Sequence, residues 1–123
     1  INENDTVATD EIQFGDNDKL GALTASLLEV DLFIIATNTN GIYTKESMEN
    51  GTPNTIENVE DFDALLEQVV SSKSKHGSGG MQSKIEAAAV TKKANIETWI
   101  VNGLEDNFMV NAMHNKVPFT KIK

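Results

Sequence analysis

The apolar run Leu32-Phe33-Ile34-Ile35-Ala36 constrains this chain more than any other stretch. An apolar run without polar alternation reads as a strand buried on both faces, as in a parallel sheet covered by helices. Before it, Leu20, Leu23, Leu27 and Leu28 recur at i, i+3, i+7 and i+8, the apolar stripe of a helix. Asp16 or Asn17 suits its N-cap, and Asp18 suits the helix start. Gly21 inside the pattern lowers helix propensity by up to about 1 kcal/mol relative to Ala, so it reads as a place where two backbones approach closely. After the run comes a polar turn, Thr37-Asn38-Thr39-Asn40-Gly41. Helix, buried strand and polar turn at the strand's carboxyl end describe an open α/β sheet, which binds ligands along that edge.

The flanking segments extend the pattern. Residues 1–18 are polar and acidic, with a short strand pair expected around Val7 and Ile12-Phe14. Residues 42–56 contain Asn50-Gly51 and Pro53 and read as an excursion with a turn or hairpin. Val59, Phe62, Leu65, Leu66, Val69 and Val70 give a second helical stripe with Asp61 as its cap. A third helix follows, burying Met81, Ile85, Ala88 and Ala89 and ending at Asn95. Ile96–Val101 is a second strand. A short helix around Asp106–Asn115 and a strand around Pro118–Ile122 close the chain. Trp99 and Phe33 are core candidates, and His76 and His114 read as surface residues. Alternating helix and strand predicts a mainly parallel sheet covered by helices.

The third helix begins in a glycine-rich turn, His76-Gly77-Ser78-Gly79-Gly80-Met81-Gln82-Ser83-Lys84. Glycines let backbone N–H groups approach an anion, and a helix start adds unpaired N–H groups and partial positive charge. Lys84 can bring its ammonium over the same spot. The turn is therefore a candidate phosphate site, although it lacks the Gly-Lys-Ser/Thr ending of a Walker A loop, and a plain flexible connection is the alternative. A net charge of −9 argues against nucleic acid as the main partner. It leaves nucleotides open, because they need only a local positive pocket. The chain has no cysteine, which excludes disulfides, thiolate metal sites and cysteine nucleophiles and fits a reducing compartment. No apolar run nears the roughly 20 residues of a membrane span, and no signal peptide is visible. The 123 residues make one domain or part of one. The opening at Ile1 inside a motif reads as an excerpt from a longer chain.

Four blocks in order carry a resemblance: Asn2-Glu3-Asn4-Asp5; Phe14-Gly15-Asp16-Asn17-Asp18; Thr37 with Gly41-Ile42-Tyr43-Thr44; and Gly79-Gly80-Met81-Gln82-Ser83-Lys84. Together they resemble the amino acid kinase family, and the first two blocks point to its glutamate-phosphorylating members. The resemblance implies an α/β fold, a three-layer αβα sandwich of the carbamate kinase type with a mainly parallel sheet. Residues 1–123 would be the C-terminal, ATP-binding part of one kinase domain. It implies transfer of the ATP γ-phosphoryl group to the side-chain carboxylate of L-glutamate, the first step of proline biosynthesis. Mg²⁺ would travel with the nucleotide, and no metal ligand is assigned to the chain. Proline as feedback inhibitor, a homo-oligomer and a cytoplasmic location are further implications. Nucleic acid and membrane are not expected partners.

The same resemblance implies residue roles. Lys84 and Asp18 are the catalytic candidates: Lys84 stabilises the transferring phosphoryl group, and Asp18 orients the catalytic lysines. Asn2, Asp5, Asp16 and Asn17 would hold glutamate, chiefly by its ammonium group. Thr37, Asn38, Ser78, Gly79, Gly80, Met81, Gln82, Ser83 and Lys84 would contact the nucleotide. The sequence departs from the family pattern at several places. Asn38 replaces a usual Asp, Ser83 replaces a usual Thr, and Lys45–Thr55 lacks the usual proline-containing connection. The turn reads Lys-His-Gly-Ser-Gly-Gly rather than Gly-x-Gly-Thr-Gly-Gly. Plainer readings stand beside these: Asp16, Asn17 and Asp18 as helix caps, Asn2 and Asp5 as loop residues, Lys84 as a solvated helix lysine. Asp16-Asn17-Asp18 lacks the spacing of an EF-hand calcium loop. The functional alternatives are a sister kinase acting on N-acetylglutamate or aspartate, and a non-catalytic sensor of amino acids or nucleotides on the same fold.

Overall fold

The computed structural model describes residues 17–44, 47, 49–71 and 79–123, without the side chains of 68–71. In chain order these form α1 (Asn17–Leu28), β1 (Leu32–Thr37), α2 (Phe62–Ser71), α3 (Gly79–Lys93), β2 (Glu97–Asn102), α4 (Phe108–Met113) and β3 (Thr120–Ile122). The sheet order is β1-β2-β3. β1 and β2 run parallel with Ile35 opposite Ile100, and β3 runs antiparallel to β2 with Thr120 opposite Ile100. The parallel pair is the expected one. The antiparallel strand accompanies a short α4, whose six residues span only about 9 Å against the ~20 Å of a six-residue strand. β3 begins opposite Ile100, in the carboxyl half of β2.

Alternation along the strands separates two cores. Ile35, Ile100 and Ile122, with Phe33 beside them, face α1, α2 and α3 and meet Ala22, Phe62, Ile85, Ala87 and Ala88. The opposite face puts Ile34, Trp99 and Val101 with Phe119 against Ala112 and Phe108 of α4. Helices on both faces make the three layers. Ile85, Ile100 and Ile122 are fully buried, each contributing about 2 kcal/mol of apolar burial. Thr91 on α3 and Thr98 on β2, both fully buried, join hydroxyl to hydroxyl at 2.5 Å, which satisfies two polar groups inside the first core.

The helix ends share one device. Glu29, Asn95 and Asn115 have φ of 53°, 60° and 55°. The N–H groups of Val30, Ile96 and Lys116 reach back to the carbonyls of Ala25, Thr91 and Asn111. This is the Schellman closure, in which one left-handed residue turns the chain off the helix. Asn95 ends α3 as its sequence suggests. Asp61 caps α2, its Oδ1 accepting the Ala64 N–H at 3.1 Å. His114 is exposed. The expected strand pair near Val7 and Ile12–Phe14, His76, and the side chains of Val69 and Val70 lie outside the described residues.

One expectation is reversed. α1 is a helix, but it buries Ala22 and Ala25 rather than its leucines. Leu23, Leu27 and Leu28 are 51%, 81% and 67% exposed. The reason is close packing: α1 lies against α3 and β1 through small residues, and a Cβ on Gly21 would come within 3.0 Å of the Phe33 ring. Asp18, Ala22 and Ala25, spaced by four and three, share that face, so Leu20, Leu23 and Leu27 take another.

The excursion after β1 is a paired loop. Tyr43 bridges Thr55 in antiparallel fashion, and the Ile56 N–H donates to Ile42 O at 2.7 Å. The Thr120 hydroxyl ties this loop to the sheet, accepting the Ile42 N–H at 2.8 Å and donating to Ile56 O at 2.7 Å. Gly41 passes beside it at φ 90°, and any Cβ there would overlap the Thr120 side chain and backbone. Gly51 has φ 74° but open space around it. Gly41→Ala should therefore lower unfolding free energy by at least about 3 kcal/mol and Gly51→Ala by only about 1 kcal/mol, the left-handed penalty alone. Urea denaturation of both variants compares them directly.

Candidate active site

Two short connections place the site. Residues 29–31 link α1 to β1, and 94–96 link α3 to β2. Each helix thus starts its strand at the amino edge. α1 and α3, about 18 Å and 22 Å long, run back along strands of about 20 Å. Their N-termini therefore lie beside the carboxyl ends of β1 and β2, where partial positive charge from unpaired N–H groups collects.

At this edge the two helices meet through polar side chains. Lys84 Nζ lies 3.1 Å from Asp18 Oδ2, with the two side chains 15% and 21% exposed. Ser83 Oγ reaches the same oxygen at 2.9 Å. The Gly80 carbonyl is 3.0 Å from Ser83 Oγ and 3.5 Å from Lys84 Nζ. Asp18 and Lys84 stand 66 residues apart in sequence, so only the pairing of α1 with α3 brings them together. An ammonium has three protons; one engages Asp18, a second faces the Gly80 carbonyl, and the third is available to an anion at the start of α3. A Cβ on Gly80 would meet nothing within 4 Å, so packing among the described residues does not require glycine there. The bare backbone leaves room for a group to approach the helix start.

The remaining candidates fall in several places. Gln82 Nε2 donates to Glu86 Oε1 at 2.8 Å, along the helix. The Met81 side chain packs against the first core. Gly79 is the first described residue of α3 and Asn17 the first of α1, next to Asp18. Thr37 ends β1, its carbonyl accepting the Gly103 N–H at 2.8 Å, and Asn38 is exposed beside it. Asn2, Asp5, Asp16 and Ser78 lie outside the described residues.

Sequence reasoning missed a second feature of the same edge. Asn40 Oδ1 accepts from Asn102 Nδ2 at 3.1 Å, and the Asn40 N–H donates to the Tyr43 hydroxyl at 3.0 Å. The first bond lashes the turn after β1 to the end of β2, and the second closes the turn on itself. Beside them opens a cavity of about 520 Å³, lined by Asn40, Tyr43, Pro53, Asn54, Thr55 and Pro118 among others. The available signal was positional: Asn102-Gly103 follows β2 just as the polar turn follows β1, and parallel neighbours end side by side. Among the described residues, no three His, Cys, Asp or Glu side chains converge to hold a metal, and no helix is long and apolar enough to cross a membrane.

The Asp18–Lys84 pair is partly shielded from water, between the weak regime of exposed pairs and the strong one of buried pairs. A double-mutant cycle with Asp18→Asn and Lys84→Met should give a coupling of roughly 1 kcal/mol in urea denaturation. Raising salt from 0.05 to 0.5 M should shrink that coupling only partly, whereas a fully solvated pair would lose it.

Comparison with known proteins gives this geometry its family. Residues 1–102 match the model of the amino acid kinase family. Proteins named glutamate 5-kinase are similar: one from Marinomonas sp. (strain MWYL1) is 44% identical over 111 residues, covering 89% of this chain and 30% of the relative. Another, from Alkaliphilus metalliredigens (strain QYMF), is 40% identical over 114 residues, 92% of this chain and 43% of the relative. The chain thus spans about a third to under half of the length of these relatives. Among solved structures, UMP kinase from Ureaplasma parvum superposes with a TM-score of 0.62 at 19% identity, over 86% of this chain and 41% of that one. Carbamate kinase from Giardia lamblia superposes at 0.54 and 19% identity, over 82% and 29% of the two chains. These two likenesses concern the fold, which is the expected one. By the match over residues 1–102 and the paired helix starts at the sheet's carboxyl edge, the chain belongs to the amino acid kinase family.

Proposed function

We propose that this chain is the ATP-binding part of a kinase that phosphorylates the side-chain carboxylate of L-glutamate, giving glutamyl 5-phosphate for proline biosynthesis. The Asp18–Lys84 pair between the starts of α1 and α3 carries the reading. Similarity of 40–46% to proteins named glutamate 5-kinase supports glutamate as the acceptor over N-acetylglutamate or aspartate.

In this reading a glutamate carboxylate oxygen forms a bond to the γ-phosphorus, and the bond from that phosphorus to the β–γ bridging oxygen breaks, releasing ADP. The nucleophile is already ionised, so no general base is needed. The protein's tasks are alignment and charge stabilisation. Lys84 supplies positive charge to the transferring phosphoryl oxygens, and Asp18 holds Lys84 in place. The chain contains no arginine, so among its own side chains this charge falls to lysine, and a second lysine is expected from the rest of the domain. Gly79, Gly80 and the backbone of the first turn of α3 cradle phosphate. The turn at Thr37 and Asn38, with the cavity at Tyr43, receives the nucleoside. Asn2, Asp5, Asp16 and Asn17 hold the glutamate ammonium through charge-assisted bonds.

Mg²⁺ prefers one or two carboxylates, phosphate oxygens and water. Asp18 Oδ2 already takes Lys84 and Ser83, and no three His, Cys, Asp or Glu side chains converge among the described residues. The ion belongs with the nucleotide phosphates. The rest of the kinase domain lies outside residues 1–123, and two features support this: β1, apolar throughout its middle, is an edge strand among the described residues, and the leucine face of α1 is exposed. A cytoplasmic homo-oligomer inhibited by proline completes the proposal.

In the full-length protein, Lys84→Ala should lower kcat for glutamate at least about 100-fold with an unchanged circular dichroism spectrum, as for a lost transition-state cation. An unchanged kcat overturns the assignment. Asp5→Ala should raise the glutamate KM strongly and the ATP KM little in the same assay. Residues 1–123 by themselves should form no glutamyl phosphate, trapped as the hydroxamate; turnover by the isolated chain would contradict the partial-domain reading.

A further inference from the structure

Ser83 has a task that nucleotide contact does not describe. Its hydroxyl lies 2.9 Å from Asp18 Oδ2, the same oxygen that Lys84 Nζ meets at 3.1 Å. The competing acceptor is Gly80 O, one turn back on α3, at 3.0 Å. A serine hydroxyl has one proton and donates to one acceptor at a time. An ionised carboxylate is the stronger acceptor, so Asp18 takes the bond. Two neighbouring residues of α3 thus converge on one oxygen of a residue on α1.

We propose that Ser83 is a positioning residue for phosphoryl transfer: its hydroxyl fixes the Asp18 carboxylate, and the fixed carboxylate holds the Lys84 ammonium at the start of α3. The proposal rests on the reading of Lys84 as the phosphoryl-stabilising cation. An aspartate carboxylate turns broadly about its terminal torsion. A lysine ammonium rides on a flexible four-carbon stem. A single ion pair between two such groups leaves both free to swing together. The Ser83 hydroxyl sits on the short side chain adjacent to Lys84, on the rigid helix, and pins the shared oxygen to α3 by a route that does not involve the lysine stem. Displacing a catalytic cation by an ångström lowers rate rather than nucleotide affinity, because alignment matters most in the transition state.

The test uses the full-length protein with ATP and glutamate. Ser83→Ala should lower kcat about 10-fold, the size of one hydrogen bond to a charged group, with the ATP KM within about twofold. Ser83→Thr, which keeps the hydroxyl, should stay within about threefold of the parent kcat. In an Asp18→Ala background, Ser83→Ala should change kcat less than about twofold, because the group it acts through is gone. A raised ATP KM with unchanged kcat in Ser83→Ala makes Ser83 a nucleotide contact and overturns the proposal. So does a tenfold effect that persists in the Asp18→Ala background. A crystal structure of Ser83→Ala gives a readout independent of activity: the Lys84 Nζ–Asp18 Oδ2 distance should exceed 3.5 Å, and an unmoved pair overturns the positioning role. If the parent protein does not phosphorylate glutamate, the functional reading fails separately, and the crystallographic arm still decides the role of Ser83.

Discussion

The close packing of α1 on α3 is the constraint on which the rest of the site depends. Small buried residues serve it, Ala22 on one helix and Ala87 and Ala88 on the other, in one core, while Gly21 lets the Phe33 ring of β1 come close. Larger side chains at Ala22 or Ala25 would push the helices apart. Asp18 lies one turn from Ala22 on the same face of α1, so the distance that lets alanine pack on alanine also lets a carboxylate reach an ammonium. The Thr91–Thr98 hydroxyl pair then holds α3 on β2. Position along the sheet and distance across the seam are both set by the core, and the site inherits them.

Much of the fold was legible in the sequence because its signals are local. The apolar run became β1, Asn95 became the left-handed closure of α3, and Asp61 became the cap of α2. What periodicity left open was which neighbour each face meets. Periodicity of 3.6 identifies a helix, but Leu20, Leu23 and Leu27 do not say which neighbour they meet. Ordinary hydrophobic weighting favours leucine over alanine, whereas a tight seam favours alanine. Glu29 was equally hidden, since a left-handed residue is normally read from Gly or Asn. The antiparallel direction of β3 accompanies a short α4, whose length sequence bounds only loosely.

The site was legible in a different way. No local pattern links Asp18 to Lys84 across 66 residues. The ordered blocks carried that pairing, and the structure supplies its geometry. Ser83 shows where motif reading stops. Placed within a candidate phosphate-binding turn it reads as another phosphate contact, yet its hydroxyl reaches Asp18. Asn40 and Asn102 were invisible for the same reason: their bond joins the ends of two neighbouring strands, and strand adjacency is a property of the sheet.

If Lys84 serves a polyanion as proposed, pairing it with a carboxylate looks wasteful, the more so at a net charge of −9. Two considerations resolve this. At physiological salt the field of distant carboxylates is screened within about 8 Å, so a nucleotide bound as proposed would respond to the helix starts and the nearest side chains rather than to the total charge. An unpaired lysine would bind substrate ATP and the transferring phosphoryl group about equally, which tightens the ground state without speeding the reaction. A lysine already held by Asp18 gains less from an incoming phosphate. Its fixed position matters most when charge shifts onto the oxygens it faces. In the proposed reaction the acceptor's own carboxylate approaches the same place, and a preset ammonium would offset the repulsion between the two anions without having to reorganise. On this view the ion pair trades affinity for alignment, and rigidity of the α1–α3 seam is what makes the trade favourable.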